Sequence, residues 1–151
     1  MQARIGILVS VLAAAIAVVA ALLWLETGPA PAGDATAVRQ VGSIGDRWVD
    51  YRPDAFAAAL SSHKTVLVAV HADWCTDCAV QAPILARLMK DPAFENAVGY
   101  VVDFDRERRF LVDHEVRTQS TLIVFKDGVE VARSVADTNA ARIRALFAQG
   151  L

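Results

Sequence analysis

A second cysteine pair is missing from this chain. Cys75 and Cys78 are the only cysteines among 151 residues. A four-cysteine zinc site is therefore excluded, and only His63, His71 and His114 could complete a mixed one. An excess of charge of one sign is missing too. A formal net charge of −2 supplies no electrostatic footprint for nucleic acid or an anionic membrane surface, and no nucleic-acid partner is expected. No internal repeat occurs, so the chain is not read as an array of stacked units.

Charge is absent altogether from residues 5–25, "IGILVSVLAAAIAVVAALLWL". The run is close to the ~20 residues an α-helix needs to cross the hydrocarbon layer, and longer than the roughly 7 to 15 of a signal-peptide core. One N-terminal transmembrane helix, an anchor, is expected there, with Trp24 at its interface end. The small residues at 28–33, "GPAPAG", leave a cleaved signal sequence as the other reading. Arg4 precedes the run and no Lys or Arg follows until Arg39. By the positive-inside rule, residues 1–4 are cytoplasmic and the soluble part faces the periplasm from a bacterial inner membrane. Disulfide chemistry is permitted there. The anchor inflates the apolar fraction of 55%. Residues 26–45, rich in Ala, Gly and Pro without periodicity, read as a flexible tether, leaving 46–151 as one domain.

Periodicity orders that domain. "RPDAFAAALSSHK" puts Phe56, Ala59 and Leu60 on one side of a short helix opened by Pro53 or Asp54. "TVLVAVHA", residues 65–72, is a nearly continuous apolar run of the kind buried on both faces of a sheet. After the cysteines, Val80, Ile84, Leu85, Leu88 and Met89 recur at helical spacing, with Pro83 expected to kink the helix and Asp91-Pro92 to end it. A second buried strand is read at 98–104, and a short helix in "RERRFLVDHEV" with Phe110 and Leu111 inward. "TLIVFKDGVEVARSVA" is a hairpin turning at Asp127-Gly128, with strands at 121–125 and 129–135. Ile143, Leu146 and Phe147 mark a last helix capped by Thr138 or Asn139. The order predicts an α/β fold with a mixed central sheet and helices on both faces.

At a helix start Cys75 would lie beside unpaired N–H groups and the positive end of the dipole, which favours its thiolate. Cys78, one turn later, could close a disulfide with it. Such a pair can attack a substrate disulfide and then resolve the mixed intermediate. A mere staple is the poorer reading, because so small a loop removes little chain entropy. A metal site on Cys75, Cys78 and His71 is the other alternative.

"LVAVHADWCTDC", followed by a helix with Pro83 five residues after Cys78, resembles the thioredoxin motif and its helix. "STLIVFKDG" resembles the second half of that fold, and the likeness runs from about Asp54 to the C-terminus. Within the thioredoxin superfamily, the lead-in Ala72-Asp73-Trp74 is similar to that of membrane-anchored periplasmic thiol-reductase modules of DsbD type. The resemblance implies a thioredoxin-like thiol-disulfide oxidoreductase. Cys75 and Cys78 would be its catalytic pair, forming a redox-active disulfide with no external cofactor or metal. Trp74, Gln119, Ser120 and Thr121 would meet the substrate, a protein disulfide, and a second dithiol protein would supply electrons.

Two positions depart from the family pattern. A buried acid that helps the second cysteine exchange its proton is replaced by Ala69, and His71, Asp73 or Asp77 are the neighbours that could tune the dithiol's ionisation instead. A cis-proline before the Thr of the hairpin strand is replaced by Ser120. A non-proline cis bond costs about 2.5 to 4 kcal/mol, against about 0.5 to 1 for proline. A trans Gln119-Ser120 bond and a reshaped loop are expected, which changes the strand-addition surface the resemblance implies and could set a hydroxyl beside a sulfur. Inside the motif Thr76-Asp77 replaces Gly-Pro, and a carboxylate near Cys75 opposes its thiolate, predicting a reducing couple. The expected function is a membrane-tethered reductase of protein disulfides, with a single apoprotein of cytochrome or metal-centre assembly as its narrowest client. The alternative is a non-catalytic module that binds a metal ion or a protein partner through the Cys-x-x-Cys face.

Overall fold

The computed structural model describes residues 44, 45 and 47–151. The expected transmembrane segment and nearly all of the tether lie outside the described residues, among which no helix is long and apolar enough to cross a membrane.

Five strands, β1 (Trp48–Asp50), β2 (Val66–His71), β3 (Val98–Asp103), β4 (Thr121–Lys126) and β5 (Val129–Val135), form one sheet in the order β1-β3-β2-β4-β5. β1 and β2 run parallel to β3, whereas β4 is antiparallel to β2 and β5 to β4, so the sheet is mixed as expected. Among the described residues four α-helices accompany it, α1 (Pro53–Leu60), α2 (Thr76–Leu88), α3 (Arg108–Asp113) and α4 (Ala140–Phe147), with short 3-10 helices at Pro92–Phe94 and Ala148–Gly150.

The apolar run of β2 explains its central place. Val66, Val68 and Val70 pack with Phe56 of α1 and Phe110 of α3, while Leu67 and Ala69 pack with Leu85 of α2 and Ile143 of α4. A strand covered on both faces must be apolar at every position, since each buried aliphatic side chain contributes roughly 1.5 to 3 kcal/mol and an unpaired polar one costs about as much. The hairpin turns at Asp127 and Gly128 with φ of 51° and 78°, the paired positive values that a two-residue turn matching strand twist requires.

One strand was not legible. β1 pairs with β3 and sets Trp48, fully buried, opposite Gly99. The indole Nε1 donates to Leu85 O at 3.2 Å, taking up a carbonyl near the end of α2. A Cβ at Gly99 would lie 2.7 Å from two atoms of the indole ring, so only glycine lets Trp48 lie flat on β3. Beside it, the Arg47 guanidinium donates to the carbonyls of Met89, Phe94, Glu95 and Ala97, fastening the chain that leaves α2. Ile44 is buried as well.

The inward stripe of α2 differs from the expected one. Cys78, Gln81, Ala82, Leu85 and Leu88 are buried, whereas Val80, expected in the core, is 46% exposed. At about 100° per residue Val80 stands some 200° round the helix from Cys78, so a stripe that begins at Cys78 excludes it. The helix runs through Pro83 from Thr76 to Leu88 without interruption.

His114 packs on the Phe56 and Phe110 side of the sheet, its ring 4.3 Å from that of Phe110, 5.7 Å from Phe56 and 5.4 Å from Phe125, centroid to centroid. Partial burial holds its imidazole below the usual value, against the opposing pull of Glu130 and Asp113.

Two outcomes follow from this packing. Gly99→Ala should destabilise the domain by about 1 to 3 kcal/mol through overpacking against Trp48, read as a lower urea midpoint. An unchanged midpoint would mean that the Trp48 ring moves freely. For His114 the folded form is harder to protonate than the unfolded one. Its contribution is complete above about pH 6.5 and is lost as pH falls from there through its folded value. Urea midpoints at pH 7.5 and 5.0 should therefore differ less in His114→Phe than in the parent, and an equal drop would refute this. Asp54, Asp91 and Asp137, all held below the usual carboxylate value, act only at lower pH.

Candidate active site

β2 delivers the chain to the site. It ends at His71, turns so that Cys75 N–H donates to Ala72 O at 3.1 Å, and enters α2 with Cys75 as the N-cap in extended conformation. In that position a side chain accepts from the helix's first free N–H groups, and Cys75 Sγ takes the Cys78 N–H at 3.2 Å. Both thiols are free and buried, packed with Ala72 and Phe104. Cys78 Sγ lies 3.9 Å from Val70 O, an acceptor.

Ser120 faces them from the loop before β4. No cis peptide bond occurs among the described residues, so the Gln119-Ser120 bond is trans as expected, and Ser120 takes a left-handed φ of 57°. Its hydroxyl lies 3.0 Å from Cys75 Sγ and 3.1 Å from Cys78 Sγ. Its backbone is fully engaged: N–H donates to Val70 O at 2.9 Å, and C=O accepts Ala136 N–H at 3.0 Å and Gln81 Nε2 at 3.3 Å. Gln81 Nε2 also donates to Asp137 O at 2.8 Å. A buried amide on α2 thus ties the loops before β4 and after β5 together. Two hydrogen bonds from Arg142 to the Asp137 carboxyl hold it below the usual value and anchor the second loop.

The other expected residues occupy varied positions. Trp74 is 62% exposed beside the dithiol, and its Nε1 donates to Asp105 Oδ2 at 2.8 Å. Gln119 is half-buried and its Oε1 accepts from Thr118 Oγ1. Thr121 is buried, its hydroxyl donating to Thr118 O at 2.7 Å. His71 Nε2 is 3.5 Å from Asp73 Oδ1, with the imidazole largely covered and the carboxylate fully in solvent. Asp77 is exposed in the first turn of α2. Ala69 is buried in apolar packing. Among the described residues no group of three or more His, Cys, Asp and Glu side chains converges as a metal site would require. Sequence reasoning missed Gln81 and Asp105; a glutamine one turn after Cys78, on the face that Cys78 itself buries, was the available signal for the first.

The arrangement suits dithiol exchange. One sulfur caps a helix and accepts a backbone N–H, the second lies one turn later, and a hydroxyl touches both. Comparisons agree with this chemistry. The family model described as Thioredoxin matches residues 48–149. Thioredoxin-2 of Pyricularia oryzae is 37% identical over 92 residues, 61% of this chain and 52% of that protein, so the match spans about half that relative's length. Thioredoxin-1 of Saccharomyces cerevisiae is 32% identical over 93 residues, 62% of this chain and 88% of that protein. Among solved structures, Trxlp from Edwardsiella tarda superposes with a TM-score of 0.64 at 36% identity, covering 65% of this chain and 95% of that one.

Gln81→Leu tests the amide tie. It strips the Gln81 donors from two carbonyls at similar side-chain volume, and should cost about 1 to 3 kcal/mol in urea unfolding. A loss within error of zero would show that the loops hold themselves.

Proposed function

The chain belongs to the thioredoxin family and is a thiol-disulfide oxidoreductase carrying the Cys75 and Cys78 pair; from that premise we propose that it is a membrane-tethered reductase of protein disulfides in which Cys75 attacks and Cys78 resolves. The observation that carries these roles is the asymmetry of the two sulfurs. Cys75 Sγ sits at the N-terminus of α2 and receives the Cys78 N–H, so charge on it is met by a donor and by the helix dipole. Cys78 is the more deeply buried of the two and faces the acceptor Val70 O, a setting that suits a thiol held until the mixed disulfide forms.

The reducing direction rests on Asp77. As the residue before Cys78 in the first turn of α2, its carboxylate adds negative charge near the dithiol and disfavours accumulation of more. Electrons would come from another dithiol protein, since the protein needs no cofactor beyond its own cysteines. Exposed Trp74 and half-buried Gln119 form the proposed face for the substrate chain by their side chains, and buried Ser120 and Thr121 shape the loop beneath it. Because the Ser120 backbone is engaged inside the protein, strand addition would use the residues around it. The proposed location is a bacterial inner membrane with the domain in the periplasm, supported by the uncharged run at 5–25 and by Arg4 ahead of it. No observation favours the non-catalytic metal-binding alternative.

Reduction of insulin disulfides, with dithiothreitol as electron source, is the test. The parent should accelerate precipitation, and Cys75→Ser should fall to the uncatalysed rate. Activity that survives Cys75→Ser would sink the assignment of the nucleophile. The potential of the couple should lie near thioredoxin's, about −270 mV, and a value near the about −120 mV of a strong dithiol oxidant would overturn the reducing direction.

A further inference from the structure

The two sulfurs are unequally supplied with hydrogen-bond donors. Cys75 Sγ has the Cys78 N–H and the Ser120 hydroxyl, at 3.2 and 3.0 Å. Among the described residues Cys78 Sγ has the same hydroxyl at 3.1 Å and, besides it, only Val70 O, which can accept but not donate. Ser120 is 2% exposed, and among the described residues its hydroxyl meets the two sulfurs and no other polar atom. Among the described residues no acid is buried, and Ala69 lies in apolar packing.

We propose that the Ser120 hydroxyl is a catalytic donor that serves the two cysteines in turn, and that the resolving step depends on it more than the attacking step does. The proposal rests on Cys75 attacking and Cys78 resolving. A hydroxyl has one hydrogen to give and lone pairs to receive. In the reduced protein it donates to the Cys75 thiolate and accepts from the Cys78 thiol. Cys75 then attacks a substrate R–S–S–R′, forming Cys75–S–S–R and releasing R′–S⁻. The Cys75 sulfur is now neutral, so the hydroxyl turns about its C–O bond to donate to Cys78, which gives its proton to water and carries the charge. The Cys78 thiolate attacks Cys75 Sγ, the Cys75–Cys78 disulfide forms, and R–S⁻ leaves. The two released thiolates take up the two protons that the cysteines gave to water, and the pair of electrons lost by the dithiol reduces the substrate. Cys75 retains a backbone donor if the hydroxyl is removed; Cys78 retains none.

The charged and titratable groups around the pair are His71 and Asp73 at the end of β2, Asp77 on α2, Asp105 beside Trp74, and Asp137 with its partner Arg142. Ser120→Gly deletes the hydroxyl and leaves all of them. Glycine accepts a φ of 57° without strain, so the backbone is preserved.

Reduced protein mixed with oxidised glutathione, quenched in acid at intervals and weighed by mass spectrometry, follows the adduct on Cys75. In the parent the adduct is transient; Cys78→Ser, which cannot resolve it, gives the reference for a permanent one. Ser120→Gly should prolong the adduct's life about tenfold or more at pH 7, the loss expected when a charged acceptor loses its donor, and slow adduct formation by less. At pH 9.5, above the roughly 8.5 of an ordinary free thiol, hydroxide supplies the base in place of the donor, and the variant should resolve its adduct at close to the parent rate. An adduct as short-lived in Ser120→Gly as in the parent would overturn the proposal, with the dithiol assignment intact. So would a long-lived adduct that alkali does not shorten, because that marks a packing defect. A Cys78→Ser variant that forms no adduct on Cys75 would overturn the dithiol assignment itself.

Discussion

One main-chain carbonyl joins the two halves of the site. Val70 O accepts the Ser120 N–H at 2.9 Å and lies 3.9 Å from Cys78 Sγ. The first contact extends the β2–β4 ladder, whose last regular pair is Ala69 with Leu122, by one more hydrogen bond. Ser120 therefore has its place because β4 has its register, and β4 has its register because Leu122 and Val124 must face one cluster and Ile123 and Phe125 the other. A slip of one residue would exchange those faces and carry the hydroxyl away from the sulfurs together with the strand. The chemistry of the loop is thus fixed by the packing of the sheet.

A left-handed serine is not free. For a residue with a Cβ the conformation costs roughly 1 to 2 kcal/mol, and Ala136, its hydrogen-bond partner, is left-handed as well, with φ of 53°. Three hydrogen bonds to the Ser120 backbone offset this, one from β2, one from α2 through Gln81 and one from the chain after β5. Each net contribution is of order 1 kcal/mol, so the sum is comparable with the strain of both residues. Gln81 is the member of this set that reaches beyond one loop, since its amide also serves Asp137 O, and Asp137 is in turn held by Arg142 of α4. The geometry around the sulfurs is consequently distributed over β2, α2, β4 and α4.

Much of this was legible from sequence where the signal is local. The apolar run of β2 announced a strand buried on both faces, Asp127-Gly128 announced the turn, and helical spacing announced Ile143, Leu146 and Phe147. The dithiol and its place at a helix start followed from the strand before it and the helix after it. What was not legible depends on partners far along the chain. β1 is three residues long, too short for a periodic pattern, and exists because Trp48 finds Gly99 on β3. Val80 looks apolar enough for the core, but the stripe is set by Cys78, whose burial is a consequence of the site. Gln81 reads as an ordinary helix residue until the two carbonyls it meets, 39 and 56 positions away, are folded over it. The cost of a non-proline cis bond weighed toward trans before Ser120 without fixing the isomer, and a hydroxyl beside one sulfur was anticipated; its contact with both was not, because it requires the register of β4.

The two departures from the family pattern, Ala69 and Ser120, have a joint physical meaning. A buried carboxylate beside a dithiol would titrate together with it, because each negative charge disfavours the other and their protons come off as a coupled set. A hydroxyl carries no charge in the accessible range, so it can donate to a thiolate without repelling it and accept from a thiol without changing its own state. Replacing the acid by alanine at Ala69 removes the coupling, and Ser120 brings a polar atom to the sulfurs from the opposite side, through β4 instead of β2. Proton exchange at Cys78 then passes to solvent, and the hydroxyl's part is to stabilise whichever sulfur bears the charge. A site of this kind keeps apolar neighbours around the cysteines, Ala72 and Phe104, and tolerates the missing acid because the donor is neutral and already bonded in place.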